Sequence, residues 1–271
     1  VRRYEGRLIE SRKIALWGLL IALAGSQQGF ATSRASFALN ENLCFWMVSV
    51  ESGQTVAFTR RLEAGTPYRL FVMGDSYAVN LDVAVLDPLG RGVASRGDSP
   101  REALLRFTPS ATGTYTLRLT VKKSQGTARC SALLLPEQGD WHAMHFHWGD
   151  ALKKVQQLLL MLEERGLVVE LASEGVCMVG GIVPAGRTVD FGQLSLDSQT
   201  YLWAVVGDSR ARSVQMRLQR DNKDASLGGG QGKPLALCLA SQTGFYTPQV
   251  ALKDADTEAF VIVAIFKVKQ L

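Results

Sequence analysis

The chain has 271 residues, of which 46% are hydrophobic and 20% charged, so it can bury one or two cores and is neither disordered nor fibrous. A formal charge of +5 and a pI near 9.1 raise the prospect of a nucleic-acid or anionic-membrane partner. Four cysteines and three histidines are too few for a zinc-rich scaffold, and no P-loop, dinucleotide fingerprint or catalytic-triad motif is present.

Arg2, Arg3, Arg7, Arg12 and Lys13 precede an apolar run from Ile14 to Ala24, and small residues follow at Gly29 and Ala31. This layout predicts a secretory signal over 1–31, which places the mature chain in the periplasm or outside the cell. The apolar run is about a dozen residues where a membrane span needs roughly twenty, so no stable span is expected after cleavage. Residues 1–31 hold five basic and two acidic side chains, a surplus of three, which leaves +2 on the remainder. The basic balance belongs largely to the signal, and no nucleic-acid partner is expected.

The rest of the sequence repeats itself. Placing Cys44 over Cys177 and reading forward without gaps sets Gly53-Gln54-Thr55-Val56-Ala57-Phe58 on Gly186-Arg187-Thr188-Val189-Asp190-Phe191. Tyr68 then falls on Tyr201, and Gly74-Asp75-Ser76 on Gly207-Asp208-Ser209. One register covers every match, which predicts a tandem duplication: repeat one over 36–136, a linker over 137–166 and repeat two over 167–271. Each copy has the size of a small sandwich domain.

In repeat one, short and often alternating apolar runs predict strands at Leu43–Val50, Thr55–Phe58, Tyr68–Val72, Leu81–Leu86, Leu104–Phe107, Thr114–Val121 and Cys130–Leu135. Turn chemistry separates them, as at Glu63-Ala64-Gly65 and Asp87-Pro88-Leu89-Gly90. Repeat two follows with Val176–Val183, Thr188–Phe191, Tyr201–Val205, Val214–Gln219, Leu235–Ala240, Tyr246–Leu252 and Ala259–Val268. The expected fold is all-β, two tandem antiparallel β-sandwiches joined by a linker with one helix.

The order Gly53-Gln54-Thr55-Val56-Ala57-Phe58, Tyr68-Arg69-Leu70-Phe71-Val72, Leu81 to Gly90, Phe107-Thr108-Pro109 and Thr112-Gly113-Thr114-Tyr115 resembles the bacterial pre-peptidase C-terminal domain. The resemblance implies a jelly-roll-like sandwich, exported, and an accessory to enzymes or surface proteins in place of a catalyst. Repeat two departs from it late, with Gln215 and Arg220 where repeat one has Asp82 and Asp87.

In the linker, Asp150 as a cap, Leu152, Val155, Leu159 and Leu162 on one face, and Gly166 as a stop predict an amphipathic helix. All three histidines, His142, His145 and His147, precede it, among Trp141, Phe146 and Trp148. Imidazoles at this spacing are candidate ligands for a divalent metal such as zinc or copper. The plainer reading, which is preferred, has the aromatic residues anchoring the linker and the histidines at its polar edge, with no cofactor. Exposed Trp141 and Trp148 would alternatively form a sugar-stacking platform.

In an oxidising compartment the even cysteine set predicts two disulfides, one per repeat, Cys44 to Cys130 and Cys177 to Cys238. The Gly-Asp-Ser sequences offer Ser76 and Ser209 as nucleophiles, but neither sandwich contains a histidine base, and Asp-Ser after glycine is turn chemistry. Three functions compete: an exported non-catalytic binding or accessory module for an envelope protein or glycan, a metal-dependent or serine-type hydrolase using the histidine cluster, and a structural envelope component. The first is the expected one.

Overall fold

The computed structural model describes residues 37–38, 42–137, 141–172, 175–225, 230–232 and 235–269, with backbone alone at 37–38, 141–144, 175 and 230–232. The expected signal over 1–31 lies outside the described residues. A short strand β1 (Phe37–Ala38) precedes eight strands of the first repeat: β2 (Leu43–Val50), β3 (Thr55–Leu62), β4 (Tyr68–Gly74), β5 (Ala78–Leu86), β6 (Gly92–Ser99), β7 (Glu102–Phe107), β8 (Gly113–Ser124) and β9 (Ala128–Pro136). Helix α1 (Trp141–Glu164) and β10 (Val169–Leu171) follow. The second repeat contains β11 (Gly175–Val183), β12 (Thr188–Asp190), β13 (Gln193–Leu196), β14 (Tyr201–Gly207), β15 (Ser213–Arg220), β16 (Lys223–Asp224), β17 (Gly230–Gly232), β18 (Leu235–Ala240), β19 (Gly244–Asp254) and β20 (Ala259–Val268).

Both repeats have one topology. In the first, β2-β9-β4-β7 faces β3-β8-β5-β6; in the second, β11-β20-β14-β18 faces a sheet built around β13-β19-β15. Counted along the chain, the first, eighth, third and sixth strands oppose the second, seventh, fourth and fifth, which is the jelly-roll order. Alternating residues fill each interior. Trp46 meets Phe58 across the first roll at 4.9 Å between ring centroids, and Trp203 approaches Tyr246 in the second at 6.4 Å. Each roll also has a tyrosine whose hydroxyl donates to a carbonyl four residues back, Tyr115 to Ala111 at 2.9 Å and Tyr246 to Gln242 at 2.7 Å. These polar tips are satisfied while the rings are fully buried.

The rolls are not beads on a string. Strand β2 pairs antiparallel with β11, so a single nine-stranded sheet runs through both repeats, and Arg34–Leu271 forms one compact unit. Met47 lies opposite Met178, Trp46 opposite Val179 and Phe45 opposite Gly180. The register skips Cys44 on β2 and Cys177 on β11, making two bulges that correspond to each other in the duplicated sequence. Each thiol faces a carbonyl of the opposite strand, Cys44 Sγ to Gly180 O at 3.7 Å and Cys177 Sγ to Met47 O at 3.4 Å.

The cysteine pairing read from the sequence is thereby corrected. None of the four cysteines is in a disulfide, and all are buried. Cys130 stands in register with Val48, roughly 13 Å along the strand from Cys44 at ~3.3 Å per residue, beyond the ~7 Å that a disulfide bridges. Cys177 and Cys238 are separated by the intervening strands β20 and β14, about 14 Å at ~4.8 Å per spacing. Desolvation pushes the thiols of Cys44, Cys130 and Cys177 up to about 12, so they stay protonated and behave as small apolar residues.

The outer face of the long sheet decides where the helix lies. In the second roll it presents Leu202, Ala204 and Val206 on β14 beside Leu235, Leu237 and Leu239 on β18, and every residue of β14 is buried. In the first roll the matching rows are Arg69, Phe71 and Met73 beside Glu102, Leu104 and Arg106, an amphipathic surface with Arg69 bound to Glu137. The helix packs on the apolar half, chiefly over β20 and β14, with its first turns reaching Phe45 and Phe71 of the first roll.

Candidate functional site

The recurring Gly-Asp-Ser builds the same turn twice. Asp75 Oδ1 accepts the Tyr77 amide at 3.0 Å, and Asp208 Oδ1 the Arg210 amide at 2.9 Å. The chain then bends so tightly that a Cβ on Gly74 would stand 2.4 Å from that of Ala78, and one on Gly207 2.3 Å from that of Ala211. Glycine is required there by close approach, and aspartate by its side-chain bond to the backbone. Ser76 and Ser209 belong to these turns.

Asp208 does more than its counterpart. It is fully buried, and its Oδ2 accepts the Phe260 amide at 3.0 Å, Arg210 Nε at 3.0 Å and Arg210 Nη2 at 2.8 Å. His147 Nδ1 of the helix lies 3.1 Å from the same oxygen, and Lys154 Nζ donates to the carbonyl of Gly207 at 3.0 Å. One helix face therefore grips this turn of the second roll.

The helix begins at Trp141, well before the cap expected at Asp150, and ends as expected, with Gly166 at φ +73° and the Leu167 amide bonded to the Leu162 carbonyl. Trp148, Ala151, Val155, Leu158 and Leu162 are buried at three- and four-residue steps. Helical geometry sends His145 and His147 about 200° apart around the axis, so they do not converge. His145 packs edge-on against Phe71 and Trp148, whereas His147 goes to Asp208. Among the described residues no group of three or more His, Cys, Asp or Glu side chains is placed to hold a metal. The side chains of Trp141 and His142 lie outside the described residues. Trp148 is 3% exposed, wedged between Phe45 and Phe71, so it anchors the helix and is no sugar platform.

Among the described residues an open cleft lies elsewhere, at the end of the first roll where β6 turns into β7. A cleft of about 630 Å³ is lined by Ala78, Val79, Arg96, Pro100, Arg101, Glu102 and Gln125. Its size is that of a small-molecule site, about 300–1,000 Å³. A bulge shapes its rim: Leu81 pairs with Ser99 and Val83 with Arg96, so Gly97 and Asp98 together oppose Asp82, with Asp98 at φ +51°. The Asp98 amide donates to Asp82 Oδ1 at 2.8 Å, and Lys122 bridges the two carboxylates at 2.9 and 3.1 Å. The bond from Asp82, reinforced by that from Asp98, holds the Lys122 ammonium above its ordinary range.

Lys122 is committed to Asp82 and Asp98, and Arg96, Arg101 and Glu102 have no salt-bridge partner among the described residues. Arg101 is steadied by a 3.5 Å bond to the Ser76 carbonyl, and Tyr77, 48% exposed, follows that residue. The other aspartate of the family-like motif, Asp87, is spent on its own turn. It accepts the amides of Arg91 and Leu89 and the Arg91 guanidinium, which hold its carboxyl below the usual range, the Arg91 amide most of all. No sequence signal marks Arg96, because an edge strand with mostly exposed residues has no apolar period and reads as loop, and Arg101 and Glu102 follow in the turn and at the first position of β7.

No family model matches the chain, and no curated protein matches it. Among solved structures it is similar to PliG of Aeromonas hydrophila, a periplasmic inhibitor of g-type lysozyme, at 12% identity and TM-score 0.26, over 40% of this chain and 93% of that one. It is similar to the M60 catalytic domain with two CBM51 domains of Clostridium perfringens ZmpB at 8% identity and TM-score 0.27, over 89% of this chain and 38% of that one. The PBSX exported protein XepA matches at 7% identity and TM-score 0.26, over 88% and 89%. Likeness this slight carries no argument about activity. No described helix is long and apolar enough to cross a membrane.

Proposed function

We propose that this chain is an exported, non-catalytic binding or accessory module for an envelope protein or a glycan, built from two domains of the pre-peptidase C-terminal type. The observation that carries this reading is the cleft of the first roll, where Arg96, Arg101 and Glu102 face solvent without salt-bridge partners among the described residues, while Asp82 and Asp98 are tied up by Lys122. Charged groups left unpaired in a concave surface are groups available to a ligand. The motifs shared by the two repeats, by contrast, are consumed in holding turns. Export is supported by the basic, apolar and small-residue succession over 1–31.

The test is retention of envelope proteins and glycans on immobilised 32–271, compared with the Arg96→Ala, Arg101→Ala double variant. Specific retention that falls at least tenfold in the variant is expected. No retention by either form at micromolar protein would overturn the reading.

A further inference from the structure

The cleft has a chemistry narrower than binding in general. Two guanidinium groups stand at it, and a guanidinium fork matches a carboxylate with two parallel hydrogen bonds. Glu102 shares the lining and is an acceptor only, so the ligand must also bring donors, and it cannot be densely anionic. Gln125 supplies both a donor and an acceptor. Val79 and Pro100 add apolar lining, and the Tyr77 ring lies beside it against Gly126, where a Cβ would sit 3.5 Å from its Cδ1. The Gln125 amide bonds the Tyr77 carbonyl at 3.0 Å, which ties the aromatic residue to the lining.

Isolated negative charge, several hydroxyl donors and a flat apolar face together describe an acidic sugar. We infer that this cleft binds a carboxylate-bearing saccharide, its carboxylate on Arg96 and Arg101, its hydroxyls on Glu102 and Gln125, and a ring face on Tyr77. The inference rests on the binding-module reading and names its ligand class. The second roll is not built for it: Leu235 stands at the first position of β18, where β7 has Glu102, and Gln215 replaces Asp82.

The experiment is calorimetric titration of 32–271 with trigalacturonate, its methyl ester and inorganic phosphate. Trigalacturonate should bind at least tenfold more tightly than the ester, which keeps the hydroxyls and loses the charge. The Arg96→Ala, Arg101→Ala variant should lose at least tenfold with an unchanged melting temperature, and Tyr77→Ala should lose several-fold. Equal binding of acid and ester, phosphate binding as tight as that of the uronate, or no uronate binding at millimolar concentration would overturn the inference. If an envelope component is still retained through the two arginines, only the ligand class fails; if retention ignores them, the cleft itself is not the site of the proposed function.

Discussion

Trp46 and Val179 face each other across the joint between the two rolls, and each is the other's counterpart in the duplicated sequence. A strand pair in which a residue meets its own copy has a local twofold axis through that pair. The symmetry extends outward: Met47 opposes Met178 and Phe45 opposes Gly180, with the skipped cysteines one on each side. In a single roll β2 would be an edge strand with unpaired amides and carbonyls, a template for aggregation. The β2–β11 pairing lets two such edges satisfy each other, and the helix then crosses the seam on its outer face.

The joint tolerates little added volume. A Cβ on Gly181 would stand 2.3 Å from the Asn42 carbonyl oxygen, and one on Gly180 3.1 Å from both the Phe45 and Phe260 rings. Gly181→Ala is expected to cost about 1–3 kcal/mol in a denaturant titration, and Gly180→Ala a similar amount, in a single transition that includes both rolls.

The two equivalent aspartates should separate sharply. Asp208→Ala removes the shared hydrogen-bond partner of the Phe260 amide and Arg210 in a fully buried position beside His147, and about 3–5 kcal/mol of stability should go with it. Asp75→Ala removes one partly exposed turn bond, about 1 kcal/mol. Chemical denaturation of the pair checks this, with equal losses counting against the helix clamp.

Thiol chemistry tests the corrected cysteine assignment. Native protein at pH 8 is expected to react with a thiol reagent far more slowly than the unfolded chain, which should release four thiols without reductant. Desolvation raises the folded thiols of Cys44, Cys130 and Cys177 from 9.0 to about 12, so their contribution to stability is complete below about pH 9 and is lost as pH rises towards 12. Alkaline unfolding should accordingly shift to higher pH when Cys44 and Cys177 are both replaced by alanine, provided neutral-pH stability is matched with denaturant. Recovery of a disulfide-linked 44–130, 177–238 or 44–177 peptide would contradict the assignment.

Trp148 is the pin of the helix, and Trp148→Ala is expected to cost about 3–5 kcal/mol by opening a cavity between Phe45 and Phe71. Surface Phe146, 68% exposed, should tolerate alanine within about 0.5 kcal/mol. Thermal unfolding of both variants distinguishes an anchoring tryptophan from an exposed one.

Much of the architecture is written in apolar period. The last strand, Ala259–Val268, reads the same in sequence and structure, and Leu43–Val50 does too. The duplication is legible until the chain shortens by two residues, after which Gly113-Thr114-Tyr115 and Gly244-Phe245-Tyr246 correspond only with a gap. Strand β6 has no legible apolar period because it is an edge whose side chains mostly meet water, and Arg96 of the cleft goes unmarked with it. The first turns of the helix are not legible because Trp141 to Trp148 reads as a histidine and aromatic cluster, although Trp148 belongs to the buried series that runs to Leu162. The edge-to-edge joint has no local signal at all, since which strands pair across two repeats depends on how two finished edges fit.

Native-state hydrogen exchange across the joint tests the central claim most directly. If the two rolls are one folded body, the most protected amides of β2 and β11 should exchange only with global unfolding, at the same free energy as those of β4 and β14. Exchange of β2 and β11 through a lower-energy opening that leaves either roll intact would contradict it.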